Sequence, residues 1–286
     1  MEKSLDELRL EIDRIDRQMV ELFRRRMEAV TQVAEYKQER GLPVRDPIRE
    51  QALLDKVAQQ AGEELSDHIQ SVYRTMMAAS RSYEHGRMGH SSTVFEAIRR
   101  AVETTPEDFP HGPKVACLEN GAICGQLFQT PDVCLFQTAD QVLAAVERGE
   151  CRYGILPVEQ TGELLALLGE YRCYIVRSVR ERAEDSRFLC ISKQPEIYPG
   201  ADRTALMMIL SPASGAMSDV LARFFTLGLN LRTWESRPLP GQEWAFLICV
   251  EIEGPVGAPE MEVFLRDLEP EVECLRYLGS YSEVIC

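Results

Sequence analysis

A single helical stretch near the N-terminus constrains this chain of 286 residues more than any other feature. Apolar or small residues recur there three or four positions apart, which predicts one helix from Leu5 to about Arg40 with a coiled-coil type of seam. The seam residues are Leu5, Leu8, Ile12, Ile15, Met19, Leu22, Ala29 and Val33. A small domain cannot cover a helix of this length, so we expect two chains to intertwine.

Cations lie on this same helix. Arg26 occupies the seam position between Leu22 and Ala29. Lys37 follows eleven residues later on the same face of the helix. An arginine cannot lose its charge, so a guanidinium in an apolar stripe needs an anion. At about 1.5 Å of rise per residue, Arg26 and Lys37 lie roughly 16 Å apart, which lets them hold one small ligand. Arg9 lies about 25 Å from Arg26 and can join that site only from a second chain. Taken alone, Arg9 is better explained as a solvated surface charge.

The composition narrows the possible partners and the compartment. A formal net charge of −14 argues against nucleic acid or an anionic membrane as a general partner. The charged N-terminus carries no apolar signal region, and no apolar run approaches the ~20 residues of a membrane span, so we expect a cytoplasmic protein. Nine cysteines without a CxxC pair fit a reduced compartment, and four histidines show no ligand spacing. We therefore expect no metal and no cofactor.

Turn and capping residues predict two more helices before residue 88. Gly41 ends the first helix, Asp46-Pro47 begins a second one as N-cap and first residue, and Gly62 ends it. A third helix begins near Ser66. Polar residues that could face a ligand from these helices are Asp46, Arg49, Glu50, Ser80 and Glu84. The last two could instead belong to a frayed helix end that binds nothing.

The type and spacing of these residues resemble the all-helical chorismate mutases. The matching residues are Leu8-Arg9, Ile12-Asp13-Arg14-Ile15-Asp16, Arg26, Lys37, Val44-Arg45-Asp46 and Arg49-Glu50. The resemblance covers about residues 4 to 88. It implies that residues 1–88 form a three-helix chorismate mutase domain, which intertwines with a second copy into a dimer.

The same resemblance implies roles for the polar residues. The implied substrate-binding residues are Arg9 from the partner chain, Arg26, Lys37, Asp46, Arg49, Glu50, Ser80 and Glu84. Arg26, Lys37 and Arg49 would hold the two carboxylates of chorismate. Asp46 and Glu50 would serve the substrate hydroxyl and position their neighbours.

The chemistry suits such a site. Chorismate becomes prephenate by a Claisen rearrangement, so the enzyme holds the reactive conformer and stabilises charge on the breaking ether oxygen. Lys37 can donate to that oxygen, and the second donor, a glutamine in many family members, is Glu84 here. Only a protonated glutamate can donate, so we predict that activity rises below neutral pH and that Glu84→Gln raises activity at neutral pH. The expected catalytic residues are Lys37, Glu84 and Arg26.

After a linker at residues 89–112, with a short helix at 95–102, the pattern changes to alternating strands and helices. Residues 113–198 resemble one lobe of prephenate dehydratase, the enzyme that consumes prephenate. The matching segments are Gly121-Ala122, residues 142–149, residues 153–159 and Ser186-Arg187-Phe188. These segments predict a small α/β lobe.

The dehydratase motifs are altered in this chain. The family's Thr-Arg-Phe reads Ser186-Arg187-Phe188, and its Glu-Asn-Ser reads Glu159-Gln160-Thr161. The second lobe that the family inserts between Val179 and Ser186 is missing. Half a cleft cannot enclose prephenate and exclude water, so we expect a degenerate lobe that serves as a spacer or platform.

The last segment, residues 199–286, shows the element order βαββαβ of a ferredoxin-like fold. It resembles the ACT regulatory domain of phenylalanine-sensing dehydratases at residues 215–218, 228–231 and 235–238. The effector-binding residues that this resemblance implies are Gly215, Ala216, Met217, Ser218, Asn230, Leu231, Glu235, Ser236, Arg237 and Pro238. A helix that begins at Gly215 offers N–H groups to a carboxylate. The alternative is a module that only dimerises.

The sequence therefore predicts a multidomain protein of the α and α+β classes, with chorismate mutase activity in phenylalanine and tyrosine biosynthesis and regulation by phenylalanine. We expect a homodimer or a dimer of dimers. Two other functions stay open: an active bifunctional chorismate mutase–prephenate dehydratase, and a non-catalytic amino-acid sensor with a relict mutase domain. Buried arginines without a ligand cost stability, which argues against the relict.

Overall fold

The computed structural model describes residues 4–118, 122–158, 161–180, 187–210, 216–239 and 245–285. The chain divides into two compact units, Met1–His90 and Ser91–Cys286. Within the described residues, no helix is long and apolar enough to cross a membrane. The predictions for Gly121, Glu159, Gln160, Ser186 and Gly215 fall outside the described residues.

Three helices form the first unit. They are α1 (Leu5–Arg40), α2 (Pro47–Ala61) and α3 (Ser66–Arg87), with a 3₁₀ turn at Glu63–Leu65 before α3. The bounds of α1 are those that the sequence predicts. Ser4 and Glu7 form a capping box at its start, and Gly41 ends it in the left-handed conformation, with a φ of 61°.

The start of α2 also follows the sequence prediction. The Asp46 side chain accepts a hydrogen bond from the N–H of Arg49 at 3.0 Å, and Pro47 is the first helical residue. Gly62 follows the last residue of the helix. Because the cap fixes the first turn of α2, it also fixes where Arg49 and Glu50 leave the helix.

The N-terminal part of α1 is exposed. All of α1 is described, and of its residues only Val30 and Ala34 are buried. Five large seam residues keep between 43% and 59% of their surface exposed: Leu8, Ile12, Ile15, Met19 and Leu22. A contiguous apolar stripe of this kind marks an interaction surface.

The second unit combines helices with two sheets. Its first elements are α4 (Thr93–Thr104), β1 (Lys114–Leu118), α5 (Ala122–Leu127), β2 (Asp132–Phe136), α6 (Ala139–Glu147), β3 (Tyr153–Val158), α7 (Thr161–Glu170), β4 (Tyr174–Arg180) and β5 (Arg187–Ser192). They continue with β6 (Arg203–Leu210), α8 (Ala216–Thr226), β7 (Asn230–Pro238), β8 (Phe246–Glu253), α9 (Pro259–Leu268), a 3₁₀ turn (Glu269–Glu271), β9 (Cys274–Tyr281) and β10 (Glu283–Ile285).

Six strands form a mixed sheet in the order β10-β4-β5-β3-β1-β2. β1 runs parallel to β2 and β3, whereas β5 is antiparallel to β3 and β4. Tyr153, Ile155 and Leu156 of the central strand β3 are all buried, as expected for a strand in a sheet covered on both faces. The sequence did not predict β10, which pairs in parallel with β4 and ties the end of the chain to this sheet.

Four antiparallel strands form the second sheet in the order β7-β8-β6-β9. With α8 and α9 they show the predicted βαββαβ order, arranged as in ferredoxin-like folds. Leu206 of β6, Ile248 of β8 and Phe264 of α9 are buried together in its core.

Two helices differ from the sequence prediction. α4 is longer than the helix expected at residues 95–102, and its Val94, Phe95, Ile98 and Ala101 are buried in the core beside the second sheet. This part of the predicted linker is therefore a packed element of the second unit. The sequence pattern also predicted no helix at Thr161–Glu170, where α7 lies.

The two sheets meet where β9 crosses β4. Gly279 has a φ of 137°, and a side chain at this position would approach the backbone oxygen of Ile175 to 2.1 Å. Only glycine allows this contact. The close approach brings β4 and β5 of one sheet beside β8 and β9 of the other.

Candidate active site

A cavity of about 440 Å³ lies among the three helices of the first unit. Of the predicted site residues, those that line the cavity are Arg26, Lys37, Asp46, Arg49, Glu50, Ser80 and Glu84. The structure therefore brings together residues from all three helices. The remaining lining residues are Ala29, Val30, Val33, Val44, Leu53, Tyr73, Met77 and Arg81.

One end of the cavity holds an ion pair. The Lys37 ammonium lies 2.8 Å from the Glu84 carboxylate and also donates to the backbone carbonyl of Val44 at 2.6 Å. The Lys37 side chain is 17% exposed and that of Glu84 is 8% exposed, so both charges are largely removed from water. The ammonium and the carboxylate are thus in direct contact in the wall of the cavity.

Arg26 and Ser80 form a second polar contact in the cavity. The Arg26 guanidinium donates to the Ser80 hydroxyl, which in turn donates to the backbone carbonyl of Met76 at 2.7 Å. Within the described residues, no carboxylate forms an ion pair with Arg26. A guanidinium has five N–H donors, so Arg26 is suited to bind an anionic ligand.

The α2 side of the cavity contains an arginine that the sequence analysis missed. Arg81 is buried, and its Nη1 donates to Glu50 Oε1 at 2.7 Å. The signal in the sequence was its position on α3, next to Ser80 and three residues before Glu84. Ser80 and Glu84 interrupt the apolar stripe of α3, and Arg81 is a further polar residue in the same turn.

Arg9 does not reach the cavity in its own chain. Its side chain is exposed and lies 3.6 Å from Asp6 in an ion pair one turn away on α1. Its participation through a partner chain stays a prediction.

The arginine of the dehydratase-like motif has a different environment. Arg187 begins β5, is buried, and makes a two-pronged ion pair with Glu251 of β8, at 3.0 Å and 2.5 Å. It also donates to the Ser178 hydroxyl at 2.8 Å and to the Tyr281 hydroxyl at 2.9 Å. Phe188 packs against the core on one face of the six-stranded sheet. Arg187 therefore joins the two sheets.

A second carboxylate extends this network. Glu283 of β10 lies 2.8 Å from Arg203 and 3.3 Å from Arg180, and it accepts a hydrogen bond from Ser178 at 3.1 Å. Burial alone would raise the pKa of Glu283, but hydrogen bonds and charges of Arg203 and Arg180 outweigh burial and lower the pKa to about 2. The pKa of Glu251 is lowered too, because its bonds to Arg187 outweigh its burial.

The residues expected to bind an effector lie on two elements. Ala216, Met217 and Ser218 form the first turn of α8, and residues 230–238 form β7, the edge strand of the second sheet. Arg237 of β7 lies 3.7 Å from Glu163 of α7. Among the residues that the structure describes, no three His, Cys, Asp or Glu side chains cluster closely enough to hold a metal ion.

Comparisons with known proteins give separate matches for the first unit and for the whole chain. Residues 8–85 match the family chorismate mutase type II. The bifunctional chorismate mutase/prephenate dehydratase of Aquifex aeolicus is 23% identical, over 99% of this chain and 99% of its own length. The T-protein of Haemophilus influenzae is 40% identical over 86 residues, which are 29% of this chain and 22% of that protein.

The alignment with the Aquifex protein also shows a difference in length. It runs over 359 positions, whereas this chain has 286 residues, so at least 359 minus 286, or 73, positions face gaps in this chain. The relative therefore has at least 73 residues that this chain lacks.

Two solved structures resemble this chain in fold. GqqA, described as a novel type of quorum quenching acylase, has a TM-score of 0.52 and 26% identity, covering 58% of this chain and 93% of its own. Prephenate dehydratase from Streptococcus mutans has a TM-score of 0.50 and 20% identity, covering 60% of this chain and 98% of its own. Residues 8–85 of this chain thus form a domain of the chorismate mutase type II family, within a chain that is similar along its length to bifunctional chorismate mutase/prephenate dehydratase.

Proposed function

We propose that this protein converts chorismate to prephenate in the cavity of its first unit. The observation that carries the proposal is the meeting of Arg26, Lys37 and Arg49 with Ser80 and Glu84 around one cavity, inside the segment that matches the mutase family. The protein would act in the cytoplasm, in phenylalanine and tyrosine biosynthesis.

The geometry supports catalysis by positioning and charge. Arg26 and Arg49 bind the two carboxylates of chorismate, which holds the enolpyruvyl group over the ring. Lys37 donates to the ether oxygen as the C–O bond breaks. Glu84 pairs with Lys37 at 2.8 Å. When the substrate separates this pair, a protonated Glu84 would donate to the same ether oxygen. Asp46 and Glu50, which line the same cavity, would serve the ring hydroxyl.

We propose further that the active protein is an intertwined dimer. The uncovered seam of α1 supports this, because a second copy of the helix would bury it. Arg9 lies on the same part of α1, so the intertwined partner would carry its Arg9 into the first chain's cavity.

Subunit mixing tests this sharing. Arg9→Met and Arg26→Met are each expected to be inactive, whereas a mixture refolded together contains heterodimers with one intact site. A statistical mixture should recover about a quarter of wild-type activity. No recovery, with heterodimers shown to form, would show that Arg9 does not complete the partner's site, and an active Arg9→Met would place Arg9 outside the site.

We propose that the dehydratase-like lobe, residues 113–198, no longer catalyses dehydration. Two observations support this. Arg187 of the altered motif forms an ion pair between the two sheets. The chain also lacks at least 73 residues that are present in the Aquifex relative. The lobe would serve as a platform for residues 199–286. We propose that this last part is an ACT-like domain that binds phenylalanine through α8 and β7.

One assay tests these activities together. The protein is incubated with chorismate, the loss of chorismate is followed, and phenylpyruvate is measured before and after acid treatment, which converts prephenate to phenylpyruvate chemically. We expect chorismate loss, with phenylpyruvate only after acid. Phenylpyruvate before acid would show a bifunctional enzyme, and no chorismate loss would favour the sensor.

Calorimetry with phenylalanine tests the regulatory part separately. We expect saturable heat from the full-length protein. The absence of heat across a wide concentration range would remove the sensing function and leave dimerisation as the role of the last domain.

A further inference from the structure

Arg81 is a buried cation in the wall of the cavity. Its side chain is 7% exposed, and its Nη1 lies 2.7 Å from Oε1 of Glu50, which is 21% exposed. The second oxygen of Glu50 lies 4.0 Å from Nε of Arg45. Because Arg81 is on α3 and Glu50 is on α2, their contact joins two of the helices that form the cavity.

The charges around the cavity explain why a cation is needed there. The lining contains the cations Arg26, Lys37, Arg49 and Arg81 and the carboxylates Asp46, Glu50 and Glu84. Without Arg81, cations and carboxylates would be equal in number. A ligand with two carboxylates would then enter a site with no excess of positive charge, in a place where water screens little.

We infer that Arg81 is a positioning residue, which neutralises Glu50 and fixes its carboxylate in the cavity wall. Glu50 can then face a dianionic substrate without repelling it, and Arg26 and Arg49 stay available to the substrate. The inference rests on the proposed mutase function. It concerns a residue that acts through Glu50 and that is not required to touch the substrate itself.

Kinetics of charge-changing variants test this role in the full-length protein. Arg81→Met should raise KM more than it lowers kcat, with kcat/KM falling on the order of 10²-fold, because the Glu50 carboxylate then loses its close ion pair and keeps only Arg45 at 4.0 Å. Adding Glu50→Gln to Arg81→Met should return KM to within a few-fold of wild type. Arg74→Met, an exposed arginine on the same helix, is the matched control and should leave KM unchanged.

A second variant covers the case in which Arg81→Met does not fold. Arg81→Gln can still donate a hydrogen bond to Glu50 but carries no charge, so its KM should also rise by about tenfold. Thermal unfolding and circular dichroism confirm which variants are folded.

The outcomes separate this inference from the proposed function. A folded Arg81→Met or Arg81→Gln with wild-type KM would overturn the inference and leave the function standing. A raised KM that Glu50→Gln does not restore would assign Arg81 to packing alone, which also overturns it. Wild-type protein that neither consumes chorismate nor binds it by calorimetry would overturn the function and this inference together.

Discussion

Arg26 and Arg187 are both arginines in motifs that resemble enzyme active sites, but the structure uses them differently. Arg26 lines a cavity, donates to a serine hydroxyl and, within the described residues, has no carboxylate partner. Arg187 is buried against Glu251, Ser178 and Tyr281, with both oxygens of the carboxylate engaged.

The difference shows what an arginine needs to bind a ligand. A guanidinium that already faces a buried carboxylate has its charge neutralised, and exchanging that partner for a ligand would leave the carboxylate unpaired. A guanidinium that faces a neutral hydroxyl keeps its charge available for an anion. The motif residue at position 26 is therefore suited to chemistry, whereas the one at position 187 is suited to holding two sheets together.

The largest expected effect concerns the stability role of Arg187. Arg187→Met should lower the free energy of unfolding by about 3–5 kcal/mol, because it leaves Glu251 buried without its partner. Chemical denaturation measures the loss, and chorismate turnover at low temperature should change little.

Two variants sharpen that test. Arg232→Met removes an exposed arginine 3.9 Å from Glu253 and should cost at most about 1 kcal/mol. Arg187→Met combined with Glu251→Met should recover most of the stability, since both buried charges are gone. A loss below about 1 kcal/mol for Arg187→Met alone would break the contrast between the two arginines.

The opposite pattern is expected for Arg26. Arg26→Met should lower kcat/KM for chorismate on the order of 10²–10³-fold, as removal of one preorganised donor does, with little change in unfolding. Arg25→Met, the exposed neighbour on α1, is the control and should keep wild-type kinetics. Equal kinetics for both variants would remove Arg26 from the site.

Acid should weaken the second unit through the same network that holds Arg187. The folded-state pKa of Glu283 is lowered to about 2 from a usual value of 4.5, so its contribution to stability is complete above pH 4.5 and is lost as pH falls toward 2. The urea midpoint of the second unit should fall across that window. In Glu283→Gln the urea midpoint above pH 4.5 should be lower than in the wild type, and it should fall less between pH 4.5 and 2. An equally steep fall in both proteins would show that Glu283 does not cause the loss of stability in acid.

The smallest expected effect is at Glu84. Glu84→Gln should raise kcat at pH 7 several-fold, because glutamine donates a hydrogen bond at any pH, and it should flatten the rise in activity below neutral pH. Lys37 keeps its bond to the Val44 carbonyl in this variant, so the cavity should persist. Rate measurements from pH 5 to 9 on both proteins provide the test, and identical profiles would place Glu84 outside the reaction.

Helix ends and the faces of helices followed from the sequence because the interactions that set them are local. The cap at Asp46 and the left-handed Gly41, both at predicted helix ends, join residues within about four positions. The helical period alone placed Arg26 and Lys37 on one face of α1, and both residues line the cavity.

The choice of partners among distant residues was decided only by the tertiary structure. Glu251 lies 64 residues after Arg187, and Glu283 of β10 lies 105 residues after Ser178 of β4. The pairing of Glu50 with Arg81 and the burial of α4 likewise depend on contacts between residues that are distant in the sequence. The sequence determined which residues carry charge and where the helices of the first unit begin and end. Packing decided which charges neutralise each other and which remain for a ligand, because ion pairing in a low-dielectric interior depends on distances that no local pattern contains.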